Sequence, residues 1–254
     1  MSTLYDSHCH LDAPEFDPDR DQVLARARAA GVGRQLVPAV RRDGWPALKA
    51  LCAENPGLRP AYGLHPMFLT HHQPGHLDEL AGWLDRERPA AVGEIGLDFF
   101  VPGLDPEHQR RYFHAQLALA REFDLPVVLH ARRAVDEVIA ALRRTGGLRG
   151  VVHSWSGSDE QARQLFGLGF CLGIGGPVTY ERAQRLRRTV ATMPLDFLLL
   201  ETDAPDQPGS GHRGQRNEPG YLREVLDAVA QLRSESPDVV AEATAANALR
   251  LFGG

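Results

Sequence analysis

Short apolar runs alternate with longer stretches of helical period along this chain, and they do so eight times. The candidate strands are LYDSH from Leu4, RQLVPAV from Arg34, LRPAYGL from Leu58, AAVGEIGL from Ala90, LPVVLH from Leu125, LRGVVHS from Leu148, LGFCLGIG from Leu168 and LDFLLLET from Leu195. Between them lie segments whose apolar residues recur at helical spacing, among them DRDQVLARARAAG from Asp19, PEHQRRYFHAQLALAREF from Pro106 and ERAQRLRRTVATM from Glu181. Asp-Pro at Asp17 and Asp105 and Ser-Asp-Glu at Ser158 are helix-start signals, and Gly31 marks the end of the first helix. Near-continuous apolar strands, each followed by a helix, predict a parallel sheet covered on its outer face. Eight such units in 254 residues predict an α/β fold of the TIM-barrel type, (β/α)8, as a single domain over residues 1–254. No linker or low-complexity segment divides the chain. The longest irregular stretch, Ala204 to Gly220, follows the last strand, and a loop of that length in a compact fold is more often functional than idle.

Active sites of such barrels lie where strands run out into the following loops, so polar residues at those positions carry the chemistry. Of eleven histidines, five fall there: His8 and His10 on the first strand, His65 after the third, His130 closing the fifth and His153 closing the sixth. The other six, including His71 and His72, read as surface residues. Glu94 lies near the end of the fourth strand and Asp203 follows the eighth. Alternate strand residues share a face, so His8 and His10 point into the barrel together while Cys9 faces the helices. Burying six imidazoles and carboxylates on one rim without a cation would be costly. Histidine nitrogens with carboxylate oxygens suit zinc, manganese or iron, and oxygen-rich sites suit magnesium. Six ligands exceed what one ion takes from protein in an open catalytic site, so two divalent ions per chain are expected. A carboxylated lysine cannot bridge them, because the single lysine, Lys49, lies in the second helix. Glu94 is left as the bridge.

The chain resembles the TatD family of metal-dependent hydrolases, within the amidohydrolase-like barrels. The likeness runs through DSHCHLD at Asp6, GLHP at Gly63, GEIGLDFF at Gly93, LPVVLHARRA at Leu125, HSWSGS at His153, LLLETDAP at Leu198 and RNEP at Arg216. By that resemblance His8, His10, Glu94 and Asp203 would hold one ion, and Glu94, His130 and His153 the other. FFVPG, after Gly-Leu-Asp, lacks the arginine usual in the family, and HSWSGS departs from the commoner HCFTGS. The activity implied is a TatD-type deoxyribonuclease acting on DNA ends or single strands, a 3'-5' exonuclease among the options. Two divalent ions would activate a water against the phosphodiester, with Asp203 accepting its proton. Glu201, one layer deeper on the strand that leads to Asp203, is read as orienting a histidine or a water. His65 is placed at the phosphate or leaving group. Arg132 and Arg216 can fork onto phosphate oxygens.

Composition narrows the alternatives. A net charge of -5 leaves no general basic surface for gripping a nucleic-acid backbone, so phosphate contacts must be local. No apolar run is long enough to span a membrane, and the N-terminus lacks the features of a signal peptide, which places the chain in the cytoplasm with no membrane or obligate protein partner. Cys9, Cys52 and Cys171 are far apart and read as reduced fillers. Trp155, Phe99, Phe100 and Tyr180 are the aromatics near strand ends that could stack on bases. Two other readings compete: a hydrolase of small esters, amides or lactones, since the same metals activate water against any polarised carbonyl, and a barrel that binds metal or a partner without catalysis.

Overall fold

All eight expected strands form, and in a computed structural model describing residues 3–253 they are β1 Leu4–Asp6, β2 Val32–Pro38, β3 Leu58–Tyr62, β4 Ala91–Asp98, β5 Val127–Arg132, β6 Gly150–Val152, β7 Phe170–Ile174 and β8 Leu198–Leu200. They make one parallel sheet in chain order, β1 to β8. The intervening helices are α1 Arg20–Ala29, α2 Trp45–Glu54, α3 Gly75–Glu87, α4 Pro106–Glu122, α5 Val135–Thr145, α6 Asp159–Gly167 and α7 Gln184–Thr192, followed by α8 Leu222–Arg233 and α9 Pro237–Phe252. This is the (β/α)8 barrel. No helix of the described residues is long and apolar enough to cross a membrane.

The helix signals act largely as expected. Asp105 accepts the Glu107 N–H at 3.0 Å, and Ser158 forms a reciprocal capping box with Gln161. Gly31 turns left-handed after α1, at φ 87°. Asp17 does not start a helix. The residue before α1 is Asp19, whose carboxylate makes no cap hydrogen bond and instead takes Arg26 and Arg216.

Several strands are shorter than the apolar runs suggest, β1, β6 and β8 among them, and no ladder forms where β8 meets β1. Three single bonds close that gap: Ser7 N–H to the Leu200 carbonyl at 2.9 Å, Asp203 N–H to that of His8 at 2.8 Å and His10 N–H to that of Ala204 at 2.8 Å. His8, His10, Glu201 and Asp203 therefore sit just past their strands. The expected facing still holds, because Cys9 is wholly buried in the apolar layer while the two imidazoles turn inward.

Two-residue periodicity stacks the barrel interior in layers. One residue from each strand forms the lower layer: Tyr5, Leu36, Ala61, Ala91, Val128, Val151, Cys171 and Leu199, all buried. Ala248, Leu251 and Phe252 of α9 close it from below. Two residues further along the same faces come His130 after Val128, His153 after Val151 and Glu201 after Leu199. The apolar floor thus fixes where the polar layer stands. On β7 the corresponding residue is Gly173, and a Cβ there would lie 1.9 Å from Oε2 of Glu201, so only glycine leaves room for that acid.

Candidate metal centre

Glu94 lies in the middle of β4, deeper than its expected place near the strand end, at the register break between Val92 and Ile95 in the pairing with β5. Irregular pairing of this kind re-aims a side chain. Here it turns the carboxylate, 2% exposed, into the centre of the polar layer. Oε2 of Glu94 is 3.1 Å from Nε2 of His8 and 3.3 Å from Nε2 of His10. Oε1 is 2.8 Å from Nε2 of His65, 2.8 Å from Nε2 of His153 and 3.1 Å from Nδ1 of His130. Asp203 completes the first group, with Oδ1 3.5 Å from His8 and 3.7 Å from His10. All six residues expected at the centre from sequence therefore meet in it, and His65 joins them.

Five imidazole nitrogens on one carboxylate exceed the roughly four lone-pair sites it offers. Nε2 of His8 and Nε2 of His10 are 3.2 Å apart, as are Nδ1 of His130 and Nε2 of His153 at 3.3 Å. Ligand atoms around a divalent ion at roughly 2.0–2.2 Å stand about 3–3.5 Å from one another. The donor set fits cations on either side of Glu94.

The outer contacts of each ring sort ligands from donors. His10 gives its Nδ1–H to the Pro38 carbonyl at 3.1 Å, leaving a lone pair on Nε2 toward the site. His130 gives its Nε2–H to Asp98 at 2.9 Å, leaving Nδ1 free toward Glu94. His65 is the reverse. Its Nδ1 accepts the Met67 N–H at 3.1 Å, so Nε2 carries the proton and donates to Glu94. His65 thus lies close enough to ligate but is held as a hydrogen-bond donor.

Burial pushes the Glu94 acid upward, but the imidazoles of His65, His153 and His8 outweigh it and hold the group well below the usual carboxylate range. Burial and the neighbouring charge of His153 pull His8 down to about 4. Burial pushes Glu201 up to about 8. Its Oε1 accepts the Ser154 N–H at 2.5 Å and lies 3.8 Å from Nδ1 of His153, which puts Glu201 beneath that ring.

Four residues that the sequence reading left without a role support the site. Asp6 joins the ends of β1 and β8: its carboxylate accepts Thr202 N–H at 2.9 Å, Thr202 hydroxyl at 2.6 Å and His8 N–H at 3.3 Å. Asp98 holds His130 and is itself fixed by the Phe100 and Val101 N–H groups at 2.8 and 3.0 Å. Gln207 donates to Oδ2 of Asp203 and to the Ser154 hydroxyl. His72, expected on the surface, is buried, and its Nε2–H holds the His65 carbonyl at 2.8 Å. Asp6 was visible as an acid inside an apolar strand and Asp98 as one directly after the fourth; Gln207 and His72 carried no such signal. Arg133, Ser154, Asp203 and Gln207 all take left-handed backbone, with φ of 55, 47, 56 and 51°, and such conformations cluster at functional sites.

Neither expected arginine hydrogen-bonds this cluster. Arg216 forks onto Asp19 with two bonds of 2.8 Å and donates to the Glu15 carbonyl at 2.6 Å. Its neighbours in the long loop are equally tied: Asn217 to the carbonyls of Thr202 and Asp206, Glu218 to Arg26. Arg132 stands exposed at the end of β5, its Cζ 3.7 Å above the Phe100 ring. Of the aromatics considered for stacking, Trp155 is buried at 3% exposure, whereas Phe100 is open to solvent.

The same fold recurs in known proteins. The family described as TatD related DNase matches residues 5–253. An Escherichia coli (strain K12) protein named uncharacterized metal-dependent hydrolase YjjV is 44% identical over 97% of this chain and 96% of its own length. The 3'-5' ssDNA/RNA exonuclease TatD of Cronobacter sakazakii is 36% identical over 98% of this chain and 97% of its own. The crystal structure of YjjV, a TatD homolog from Escherichia coli K12, superposes with a TM-score of 0.96 at 40% identity, covering 100% of this chain and 99% of that one. This chain belongs to the TatD family of metal-dependent hydrolases.

Proposed function

We propose that the protein is a two-metal phosphodiesterase acting on the ends of single-stranded DNA. The observation that carries this reading is the division of ligands by Glu94, with His8, His10 and Asp203 at one oxygen and His130 and His153 at the other. Two divalent ions, zinc, manganese or magnesium, would supply an activated water and neutralise charge on the phosphodiester. The exonuclease name of a 36% identical relative supports the choice of substrate.

The chain's own groups then divide the work. Glu94, Asp203 and the four histidines would hold the ions, and Asp98 and the Pro38 carbonyl keep two of those rings in the tautomer that leaves a lone pair inward. Asp203 accepts the proton from the attacking water at Oδ1, while Gln207 holds Oδ2 so that the carboxylate cannot swing away. Glu201, its acid pushed up by burial, orients His153 from below. His65 carries its proton on Nε2, and in place of its bond to Glu94 that N–H would serve a phosphate oxygen of the substrate. Arg132 adds positive charge at the rim. Arg216 secures the long loop through Asp19.

The test is hydrolysis by the metal-loaded protein of single-stranded DNA, a phosphodiester chromogen and simple esters, each repeated after chelation. We expect metal-dependent cleavage of DNA from one end, and a loss of at least about a hundredfold in kcat for Asp203→Asn with an unchanged melting temperature. Turnover of esters alone would overturn the substrate assignment, and an undiminished Asp203→Asn enzyme would overturn the role of that residue.

A further inference from the structure

Beside the metal centre stands a cluster of Phe100, Arg132 and Arg133 that the reading above leaves without a shared purpose. Phe100 is 45% exposed, one of four large apolar side chains open to solvent among the described residues. The Cζ atoms of Arg132 and Arg133 lie 3.7 and 4.7 Å from its centroid. Both guanidinium groups are exposed, and among the described residues neither has a carboxylate or other hydrogen-bonding side-chain partner, unlike Arg26, Arg110 and Arg216. Arg133 is held at φ 55°, a left-handed conformation that a residue with a Cβ adopts at a cost.

The cluster is fastened to the centre by covalent neighbours and hydrogen bonds. The Phe100 N–H donates at 2.8 Å to the carboxylate of Asp98, whose other oxygen takes Nε2 of His130 at 2.9 Å. Asp98 pairs with Arg132 in the β4–β5 register, and the Phe99 N–H donates to the Arg132 carbonyl at 2.9 Å. Arg132 lies two residues beyond His130, on the same face of β5. A guanidinium laid on an aromatic face keeps its N–H edge free, and that edge matches the oxygens of a phosphate. In a chain of net charge -5, two uncompensated cations next to the centre are the local positive charge that a polyanion needs.

We propose that Arg132 and Arg133, braced on Phe100, form a subsite for the phosphate of the nucleotide that flanks the scissile bond. This rests on the phosphodiesterase reading and narrows its substrate to single-stranded DNA carrying at least one phosphate beyond the one cleaved. Phe100 acts as a positioning residue, through the two arginines.

The experiment compares the metal-loaded wild type with Arg133→Gln, Arg132→Gln/Arg133→Gln, Phe100→Leu and Phe100→Trp. Substrates are a single-stranded oligonucleotide and a dinucleoside monophosphate, which has no flanking phosphate, and the dependence of KM on salt is measured for each. Losing one guanidinium should raise KM for the oligonucleotide about tenfold more than for the dinucleoside, and lower the slope of log KM against log salt by about 0.7. Phe100→Leu should erode the same preference, and Phe100→Trp should keep it. Equal losses on both substrates, or an unaltered salt slope, would overturn the subsite while leaving the phosphodiesterase reading intact. A wild type that cleaves neither phosphodiester but turns over simple esters would overturn both.

Discussion

Single side chains in the polar layer act through the partner behind them. Asp98 is the sharpest case: burial alone would raise its acid, but the His130 hydrogen bond and the Val101 and Phe100 N–H groups hold it down to about 2, so it faces His130 as a carboxylate. A histidine ligand loses basicity and orientation when such a partner is removed, at a typical cost of 10–100-fold in metal affinity. Asp98→Asn should therefore weaken binding of one ion by about that factor, with the other little changed, in a competition titration against a chromogenic chelator. Unaltered affinity for both ions would show that Asp98 serves only the loop after β4. His8, His10, His130, His153, Glu94 and Asp203 were legible from sequence, because imidazoles and acids at the ends of apolar strands have few uses other than a metal. Gln207 was not, because an amide in a loop has no strand parity to betray which way it faces.

Among the elements, the segments after β3 and β8 differ in how they are held. The loop after β8 is locked by Arg216, Asn217 and Glu218, which reach α1, Thr202 and Asp206. The segment after β3 depends on His72, whose Nε2–H anchors the His65 carbonyl. Burial pulls His72 from 6.5 down to about 4, so the unfolded chain binds a proton that the folded one refuses. Its contribution to stability is therefore full above about pH 6.5 and is lost as the pH falls toward 4. His72→Gln keeps a donor for the carbonyl and cannot titrate. Melting temperatures followed from pH 7 to 4 should fall less steeply in this variant than in the wild type, and parallel curves would refute the assignment. Arg216 shows what motif reading misses: RNEP marks an ordered turn, but only the position of α1 reveals that its arginine already has a carboxylate.

Taken whole, the molecule is a polar cup standing on an apolar plug. Phe252, at the end of α9, is 2% exposed and lies 6.4 Å, ring to ring, from Tyr5 in the lower layer. Removing a buried phenyl ring costs about 3–5 kcal/mol when the cavity cannot collapse, and a barrel floor ringed by eight strands has little freedom to do so. Phe252→Ala should lower the urea midpoint accordingly while the slope of the transition stays the same; a loss under about 1 kcal/mol would mean that α9 covers the barrel without sealing it. What the amino-acid order determined by itself was periodic: eight apolar runs separated by helices, and strand parity that put His130 two residues past Val128 and His153 two past Val151. Those follow from backbone geometry, which acts on neighbours in the chain. Which oxygen of Glu94 each imidazole meets, why His65 donates instead of ligating, and why Arg132 is free while Arg216 is paired were decided only by tertiary structure. These depend on contacts between residues tens to hundreds of positions apart, and no local propensity specifies the partner that packing supplies.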